Sequence, residues 1–372
     1  MSHRLPSSTD VLVIGGGPAG LAAAIAARRH GLRVVVADGA QPPIDKACGE
    51  GLMPDGLGAL CRLGVSVNTT DGFSFSGIRF LSGGLSAEAM FPDSTGLAVR
   101  RTTLHRIMTE HAENAGADLL WRAPVTGISC DGVRMGDGTI GTRWIVGADG
   151  ANSRVRRWAG LDRSSRPSFR YAFRRHYRAA PWTDRMELHW GRQSQGYVVG
   201  VSDDQVCLAF ASGDPRQRLD GSLDEFTELN ARLRGTQIIS AERGALTANR
   251  RLKRVWRGNV ALIGDASGTV DAITGEGLGL SFSQALALAD CMAAGDLAPY
   301  QAAHRKLALR PLLMARLMLT LDGRPRLQRR TLQVFRRRPE VFRRLLALHI
   351  GALSPLDLAR DGLTLGWGLL TA

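Results

Sequence analysis

Three glycines near the start of the chain, Gly15, Gly17 and Gly20, form a Gly-x-Gly-x-x-Gly pattern. In such a pattern the first glycine permits a tight turn, the second lets a pyrophosphate approach the backbone, and the third lets a helix and a strand pack closely. Asp38 follows about 20 residues later, where a carboxylate accepts hydrogen bonds from an adenosine ribose. These residue types at this spacing predict a dinucleotide-binding site.

The segments around these glycines have the pattern of a βαβ unit. Residues 11–14 are consecutive aliphatic residues, typical of a buried strand, and the Ala-rich residues 21–27 predict a helix. A second strand is predicted for residues 33–37. The N-terminus of the helix would offer free N–H groups and a partial positive charge to the phosphates. Because every part occurs in order, we favour this interpretation over a Gly-rich turn in an unrelated α/β protein.

Two later segments repeat this logic of a strand followed by an aspartate. A strand predicted at residues 144–146 places Asp149 at its carboxyl end, where ligands gather in parallel sheets. A strand within residues 259–266 carries Asp265, which could accept a hydrogen bond from a ribityl hydroxyl. The Gly-rich residues that follow, 275–279, could direct their N–H groups at the anionic edge of a reduced flavin. Within this loop Glu276 suits the dipole of the next helix, so helix-end electrostatics is its simpler interpretation.

A polar loop at residues 45–54 follows the βαβ unit and could lie against the bound cofactor. Cys48 is its most reactive residue. Two interpretations of Cys48 stay open: a thiol that holds or protonates a reaction intermediate, or a small buried apolar residue.

Two arginines precede the next predicted helix, which runs to about Ala115. Arg100 or Arg101 could pair with a phosphate or with a polar edge of a flavin, or could be a solvated surface side chain. Thr102 or Thr103 is predicted to be the N-cap of this helix.

Alternating polar and apolar residues at 73–90 and 169–210 predict antiparallel strands, and residues 222–233 predict one helix. Asp137-Gly138 is a two-residue hairpin signal. Acid–base candidates in the second region, each with a structural role as its alternative, are His176, His189 and Tyr197.

The composition indicates more than one domain and a reducing environment. At 372 residues the chain exceeds a typical domain. Its cysteines are scattered, odd in number and without a Cys-x-x-Cys pair, which argues against a disulfide framework and a structural zinc site. They are Cys48, Cys61, Cys130, Cys207 and Cys291. We predict neither a signal peptide, since residues 1–9 lack an apolar core, nor a spanning helix, since no uncharged apolar run reaches 18 residues.

The formal net charge of +14 is concentrated near the C-terminus. Residues 299–345 hold thirteen basic residues against two acidic ones, a net charge of +11. This segment could be an amphipathic helical region whose polar face is arginine, or could contact an anionic membrane or an acidic carrier protein. We expect no nucleic-acid partner, because no nucleic-acid-binding module is recognisable.

Three of these motifs together resemble a known family. Residues 13–20, 147–154 and 262–266 are similar to the FAD-binding motifs of the class A flavoprotein monooxygenase superfamily, which has the p-hydroxybenzoate hydroxylase-like fold. Residues 46–52 resemble the geranylgeranyl reductase branch, in which a cysteine of this loop lies near the flavin.

The resemblance assigns roles to further residues. In the superfamily an arginine before the second helix contacts FAD, and the Arg-x-x-Leu spacing selects Arg101, with His105 where an aspartate is common. Tyr197 matches a tyrosine of the geranylgeranyl reductases, but the Trp and Pro that follow it there are absent. The Trp-x-Trp-x-Ile-Pro signature of flavin halogenases is also absent, which argues against halogenation. The residues expected to bind FAD are Gly15, Gly17, Pro18, Ala19, Gly20, Asp38, Lys46, Cys48, Gly49, Arg101, Asp149, Gly150, Gly264, Asp265, Gly275, Gly277 and Leu278.

The expected fold is α/β, with α+β character in the second domain. It comprises a Rossmann-like FAD-binding domain with a parallel sheet, an interleaved substrate domain with an antiparallel sheet, and a helical C-terminal region. The FAD-binding domain is expected at residues 8–70, 96–165 and 250–298. The substrate domain is expected at 71–95 and 166–249, and the basic C-terminal region at 299–372.

The resemblance implies an FAD-dependent oxidoreductase that acts on a lipophilic small molecule. It would be a geranylgeranyl reductase-like C=C reductase with Cys48 as a catalytic residue, or a class A monooxygenase. Because there is one dinucleotide fingerprint, NAD(P)H would dock transiently or another external donor would supply electrons. An alternative from another class is a membrane-surface or carrier-associated flavin-binding protein with little catalysis of its own. The expected location is cytoplasmic, peripheral to the membrane if the basic segment binds lipid.

Overall fold

A computed structural model describes residues 6–354, apart from residues 130, 137, 164–167 and 193. The α-helices of the described chain are α1 (Pro18–Arg29), α2 (Pro54–Leu63), α3 (Arg101–Asn114), α4 (Arg154–Trp158), α5 (Leu219–Leu223), α6 (Thr227–Leu233), α7 (Gly277–Ala294), α8 (Ala298–Leu321), α9 (Pro325–Arg337) and α10 (Pro339–His349). Short 3-10 turns cover Thr69–Asp71, Gly264–Ser267 and Ala272–Thr274.

The strands of the first half of the described chain are β1 (Ser8–Ile14), β2 (Val34–Ala37), β3 (Gly51–Leu52), β4 (Phe73–Phe75), β5 (Gly77–Ser82), β6 (Leu85–Met90), β7 (Gly96–Ala98), β8 (Asp118–Leu120), β9 (Val125–Ser129), β10 (Gly132–Met135) and β11 (Gly138–Gly147). The strands of the second half are β12 (Ser168–Arg178), β13 (Arg185–Trp190), β14 (Ser194–Ser202), β15 (Gln205–Ser212), β16 (Gln237–Ile238), β17 (Arg243–Arg251), β18 (Trp256–Arg257), β19 (Val260–Leu262) and β20 (Gly268–Thr269).

The first sheet has the strand order β18-β19-β11-β1-β2-β8, with β10 and β9 added beside β11. The strands from β19 to β8 run parallel, and Val13 of β1 pairs with Val36 on one side and Val146 on the other. Residues 11–14 are buried because helices such as α1 cover this sheet, which explains their continuous apolar run. The mixed α/β class and the Rossmann-like parallel sheet predicted from the sequence are confirmed.

The second sheet has the order β20-β17-β12-β15-β14-β13-β5-β6, with β16 beside β12. All of its pairs are antiparallel except β13 with β5. A small antiparallel sheet consists of β3, β7 and β4, in that order. The division of the chain into domains at the stated boundaries stays a prediction, and residues 355–372 of the C-terminal region and Asp137 of the predicted hairpin turn lie outside the described residues.

The single helix predicted for residues 222–233 is wrong. Two short helices, α5 and α6, occupy this region, and Phe226 between them has φ −118° and ψ 77°. Its ring stacks on Phe210 with the centroids 5.3 Å apart and contacts the edge of His189 at 5.9 Å. Burial of this aromatic ring in the core outweighs the helical preference of the local sequence.

The predicted threonine cap of the third helix is also wrong. Helix α3 begins at Arg101, and its N-cap residue Arg100 makes no side-chain cap. The carboxylate of Glu50 instead accepts a hydrogen bond from the Arg101 N–H at 2.9 Å. A long-range partner therefore satisfies the donor that a local cap would have satisfied.

The C-terminal helices pack on both sheets. Helices α9 and α10 lie on β5 and β6, where Phe342 stacks on Phe335 at 4.5 Å and contacts Phe80 at 5.3 Å. Helix α7 is long and apolar enough to cross a membrane by length and composition alone. In the described structure it packs against α1, α2 and α8 and buries Phe282, so it has the environment of a core helix.

Candidate flavin site

A cavity of about 770 Å³ lies between the two large sheets. One wall comes from the loops at the carboxyl ends of the parallel strands, and the other comes from the antiparallel strands β12, β14, β15 and β17. Every residue predicted to bind the cofactor lines this cavity except Gly20. Segments that are far apart in sequence therefore converge on one space of the size that a large ligand needs.

The glycine turn excludes side chains at Gly15 and Gly20 and leaves open space at Gly17. Gly15 has φ +111°, and a Cβ atom there would lie 2.4 Å from the carbonyl oxygen of Ala148. A Cβ atom on Gly20 would lie 1.8 Å from the carbonyl oxygen of Gly15, so Gly20 serves helix packing rather than the cavity wall. The space at Gly17 is open up to the Arg101 guanidinium, 3.9 Å from where a Cβ atom would stand. An anion can approach the backbone there.

His105 holds this turn from behind. Its Nε2 atom lies 2.9 Å from the carbonyl oxygen of Gly16, so Nε2 carries the proton and donates. Burial lowers the pKa of His105, which favours the neutral ring. The sequence indicated only that His105 replaces an aspartate, and this contact is visible only in the fold.

Asp38 lies at the end of β2 and lines the cavity. Its two oxygens accept hydrogen bonds from the N–H groups of Gly16 at 2.6 Å and Ala40 at 2.7 Å. These bonds fix the carboxylate, and each oxygen keeps a lone pair that can accept a ribose hydroxyl.

Three residues that line the cavity have a buried polar atom without a hydrogen-bond partner among the described residues. One is Nε of Arg174, which faces the Glu50 carboxylate at 3.8 Å, and the other two suit FAD. Asp149 accepts from the N–H groups of Arg154 at 2.7 Å and Val155 at 3.1 Å through Oδ2, while its Oδ1 has no partner. The Nε of Arg101 is likewise buried and unpaired. Buried polar groups in native proteins are normally satisfied, so an acceptor and a cation here indicate a polar, anionic ligand. The residues present therefore fit FAD, with Arg101 and Gly17 suited to its pyrophosphate.

The far end of the cavity is formed by the third motif. Lys46 and Asp265 form an ion pair at 3.1 Å between half-exposed side chains, an arrangement that contributes little to stability. The N–H groups of Gly277 and Leu278 begin helix α7 and have no partner within it. These donors, beside Gly275 and Gly264, can face the polar edge of a flavin ring.

Cys48 lines the cavity in the loop before β3. Its sulfur accepts a hydrogen bond from the N–H of Glu50 at 3.3 Å. Burial raises the pKa of the Cys48 thiol, against the opposing effect of the nearby Arg101 guanidinium. The thiol therefore keeps its proton at neutral pH.

A polar cluster, which we call the Glu50 cluster and define as Glu50, Arg174, His176 and Ser240, lies beneath this loop. All of its members except Ser240 are buried. The Nε2 of His176 is 2.7 Å from Oε2 of Glu50, and both side chains are almost fully buried. Sequence reasoning missed this pairing, because Glu50 and His176 are 126 residues apart.

The Glu50 cluster also adjoins Cys207, and the ligand atoms of Glu50, His176 and Cys207 all lie within 4.8 Å of one another. This spacing could hold a metal ion. However, Arg174 lies 3.8 Å from the Glu50 carboxylate and 3.2 Å from Nδ1 of His176. A guanidinium already neutralises the carboxylate and uses the free lone pair of the imidazole, so the arrangement fits an ion-pair network better than a cation site.

Of the other candidates named from the sequence, Tyr197 lines the cavity, whereas His189 and Arg100 do not. Tyr197 lines the cavity and donates its hydroxyl to the carbonyl oxygen of Ile273. His189 pairs with Glu187 at 3.2 Å outside the cavity. Arg100 contacts Gln205 at 3.5 Å and does not line the cavity either.

Glu276 occupies the N-cap position of α7, but its side chain does not line the cavity. It lies 3.5 Å from Arg310 of α8 and 3.5 Å from His349 of α10. Burial raises the pKa of Glu276 to about 8, so at neutral pH this side chain is largely uncharged and does not act as a dipole-compensating anion.

The fold and the site define an FAD-dependent oxidoreductase. The chain belongs to the family described as FAD binding domain, whose profile matches residues 8–295 and which is part of the flavoprotein monooxygenase superfamily.

Curated relatives and solved structures agree with this family. The chain is 31% identical over 321 residues to a menaquinone reductase of Mycolicibacterium smegmatis, covering 79% of this chain and 78% of the relative. It is 27% identical over 295 residues to digeranylgeranylglycerophospholipid reductase 1 of Methanothermobacter thermautotrophicus, covering 73% and 74%. A flavoprotein/dehydrogenase from Cytophaga hutchinsonii shares the fold, with a TM-score of 0.80, 20% identity and coverage of 92% and 93%. The resemblance stated from the sequence is confirmed.

Proposed function

We propose that this protein reduces a carbon–carbon double bond of a lipophilic substrate that carries an isoprenoid chain. The observation that carries the proposal is the position of the Cys48 thiol in the wall of a cavity whose opposite side includes Met186, Phe210 and Leu246. Burial raises the pKa of this thiol, which favours its protonated form. Such a wall suits an unsaturated hydrocarbon chain. The names of two relatives, a menaquinone reductase and a digeranylgeranylglycerophospholipid reductase, support a substrate of this class.

FAD held in the cavity by Arg101, Asp149 and the glycine turn would supply the hydride for one carbon of the double bond. Cys48 holds a proton at Sγ and gives it to the adjacent carbon, after which water reprotonates the thiolate. Arg101, Asp149 and the glycine turn fix the cofactor, and the apolar wall excludes water from the substrate. The protein thus supplies orientation and a proton, while the cofactor carries the electrons.

The test is anaerobic turnover of Cys48→Ala with chemically reduced flavin. Menaquinone and a geranylgeranyl-bearing phospholipid serve as probes, and mass spectrometry detects the gain of two hydrogens. We expect the variant to stay yellow and to lose about 10²–10⁴-fold in rate, the usual effect of removing a general acid. Cys61→Ala, at an exposed cysteine on α2 outside the cavity, is the matched control. Equal rates for the two variants would contradict the role of Cys48. Oxygen-dependent formation of a hydroxylated product would favour a monooxygenase instead.

We also propose that an external donor, NAD(P)H or a separate electron-transfer protein, reduces the flavin. The single dinucleotide fingerprint at residues 15–20 supports a donor without a resident domain of its own. Mixing the anaerobic holoprotein with NADH or NADPH and recording the flavin absorbance tests this idea, with dithionite as the positive control. Bleaching by dithionite but by neither nucleotide would point to a protein donor.

The outer face of α8 supports a further proposal, that the protein contacts an anionic membrane surface. Leu309, Leu313 and Leu317 are 64%, 39% and 42% exposed and follow one another at four-residue spacing on one helix face. The exposed cations Lys306 and Arg316 flank this leucine stripe. An apolar stripe bordered by basic residues is the pattern of helices that lie on anionic membranes.

Vesicle flotation of the full chain tests the membrane contact. We expect binding to phosphatidylglycerol vesicles at low salt, weaker binding to phosphatidylcholine, and loss on changing the three leucines to serine. Ile238→Ser, at another exposed apolar residue, serves as the control. Absence of binding to anionic vesicles would overturn this proposal and leave an acidic carrier protein as the partner to test. Flotation without any turnover would favour a membrane-associated flavin-binding protein with little catalysis of its own.

A further inference from the structure

The Glu50 cluster has no assigned part in the mechanism above, yet it supports the backbone that holds Cys48. Glu50 has φ +62°, a left-handed conformation that is uncommon for a residue with a side chain. In this conformation its N–H donates to the sulfur of Cys48 and its carbonyl oxygen accepts from Val99 at 2.9 Å. A backbone of this kind persists only where the surroundings enforce it.

The surroundings enforce it through the carboxylate. Glu50 accepts from the Arg101 N–H at 2.9 Å and from His176 at 2.7 Å, and Arg174 lies 3.8 Å away. The side chains of Glu50, Arg174 and His176 are all buried. Two hydrogen bonds, one from helix α3 and one from strand β12, and an ion pair from the same strand therefore fix one carboxylate.

The hydrogen-bond pattern determines which nitrogen of His176 carries the proton. Arg174 lies 3.2 Å and Arg100 lies 3.5 Å from Nδ1 of His176, and a guanidinium can only donate. The Nδ1 atom is therefore an acceptor, and Nε2 donates its proton to Glu50. Ser240 adds a contact of 2.9 Å to Nδ1 and accepts the backbone N–H of His176 at 3.0 Å.

The same network anchors the other end of the Cys48 loop. Arg174 donates to the carboxylate of Asp45 and to the carbonyl oxygen of Lys46 at 3.4 Å. Arg243 of β17 donates to Asp45 at 3.1 Å. Strands of the antiparallel sheet thus hold both sides of Cys48.

We propose that His176 is a positioning residue for Cys48. By fixing the carboxylate of Glu50, His176 holds the Glu50 N–H on the Cys48 sulfur, so that the thiol hydrogen points away from that N–H. This inference rests on the proposed role of Cys48 and assigns the second sheet a part in proton delivery. His176 does not line the cavity; it contacts the Cys48 loop through Glu50 and through Arg174, which holds Asp45 and Lys46.

The test measures the thiol itself, not turnover. Alkylation of Cys48 by iodoacetamide is followed against pH in the holoprotein by mass spectrometry, with the exposed Cys61 of the same chain as the internal reference. We expect His176→Leu to shift the pH profile of Cys48 alkylation by at least half a unit and its rate by about threefold to tenfold, with Cys61 unchanged. His176→Gln, whose amide can donate to Glu50, should restore most of the wild-type profile.

A yellow, folded His176→Leu protein with the wild-type Cys48 profile would overturn the proposal. If that variant does not fold, Ser240→Ala, which removes one contact to Nδ1, should shift the profile in the same direction by a smaller amount, and an unchanged profile would overturn the proposal too. A shifted profile combined with normal turnover of Cys48→Ala would instead mean that the positioning is real and that the proposed proton donor is wrong.

Discussion

At the scale of single residues, the cofactor cavity depends on glycines, whose lack of a side chain allows close packing. Gly20 and Gly15 approach so closely that no side chain fits between helix α1 and the turn. At Gly17, between them, the open space lets an anion approach the N-terminus of α1. Small residues here serve both the packing of the sheet and the binding of the nucleotide.

We predict that Gly20→Ala lowers the free energy of unfolding by more than about 3 kcal/mol, because the added carbon would meet a backbone oxygen that no side-chain movement can relieve. The variant should also lose bound flavin. Urea denaturation and the ratio of flavin to protein absorbance measure the two effects. Gly221→Ala, at an exposed helical glycine with nothing within 4 Å, should change stability by less than about 1 kcal/mol. A yellow Gly20→Ala protein of wild-type stability would contradict this account.

At the scale of elements, a buried junction joins the flavin loop to the C-terminal helices. Glu276 at the start of α7 meets Arg310 of α8 and His349 of α10, and Arg310 also pairs with Asp55 of α2. One guanidinium thus faces two carboxyl groups, and burial favours keeping one of them protonated. Burial lowers the pKa of His349 to about 4, so this ring is neutral as well.

The raised pKa of Glu276 implies that the free energy of unfolding depends on pH. Its folded value of about 8 exceeds the ordinary 4.5, so the folded state retains a proton that the unfolded chain has lost. The resulting stability is present below the unfolded pKa and is lost as the pH rises through the folded pKa. Between pH 6 and pH 8 we expect the free energy of unfolding of the wild type to fall by about 2–3 kcal/mol relative to that of Glu276→Gln, which cannot ionise.

Urea denaturation at several pH values tests this prediction. The difference between wild type and Glu276→Gln isolates Glu276 from Asp55 and His349, which are present in both proteins. Glu340→Gln, at an exposed glutamate of α10, should show no such trend. A pH-independent difference between wild type and Glu276→Gln would mean that Glu276 is ionised in the folded protein.

At the scale of the whole molecule, the cavity is shared by two sheets. The parallel sheet contributes the turns that suit the nucleotide, and the antiparallel sheet contributes the wall that suits the substrate. A ligand in this space contacts both sheets, and such binding stabilises the folded state as a unit.

We therefore predict that removing FAD lowers the free energy of unfolding of the entire protein in one transition. Adding FAD at 100 times its dissociation constant should raise the free energy of unfolding of the apoprotein by about 2.7 kcal/mol. Denaturant unfolding of the apoprotein and the reconstituted protein measures this difference. FMN, which lacks the adenosine portion that Asp38 would hold, should restore much less. Identical unfolding curves with and without FAD would contradict a cavity that links the sheets.

The parallel sheet, the glycine turn and the cavity-lining residues named in the sequence analysis follow from the amino-acid sequence. The sheet and the turn could be predicted because local patterns encode them: consecutive apolar residues, the spacing of glycines, and an aspartate after a strand. The choice of Arg101 over Arg100 and the position of the Cys48 loop near the flavin followed from the family resemblance. Of the residues predicted to bind FAD, only Gly20 lies outside the cavity wall, and the structure shows that it supports the turn by packing.

The pairing of polar residues that are distant in sequence is visible only in the folded chain. Glu50 caps α3 and meets His176 from a strand more than a hundred residues later, and His105 fixes Gly16. Phe226 separates helices α5 and α6, because its ring is buried against Phe210 in the core. No local pattern encodes such contacts, since a buried charge or ring takes the partner that the completed fold brings within reach.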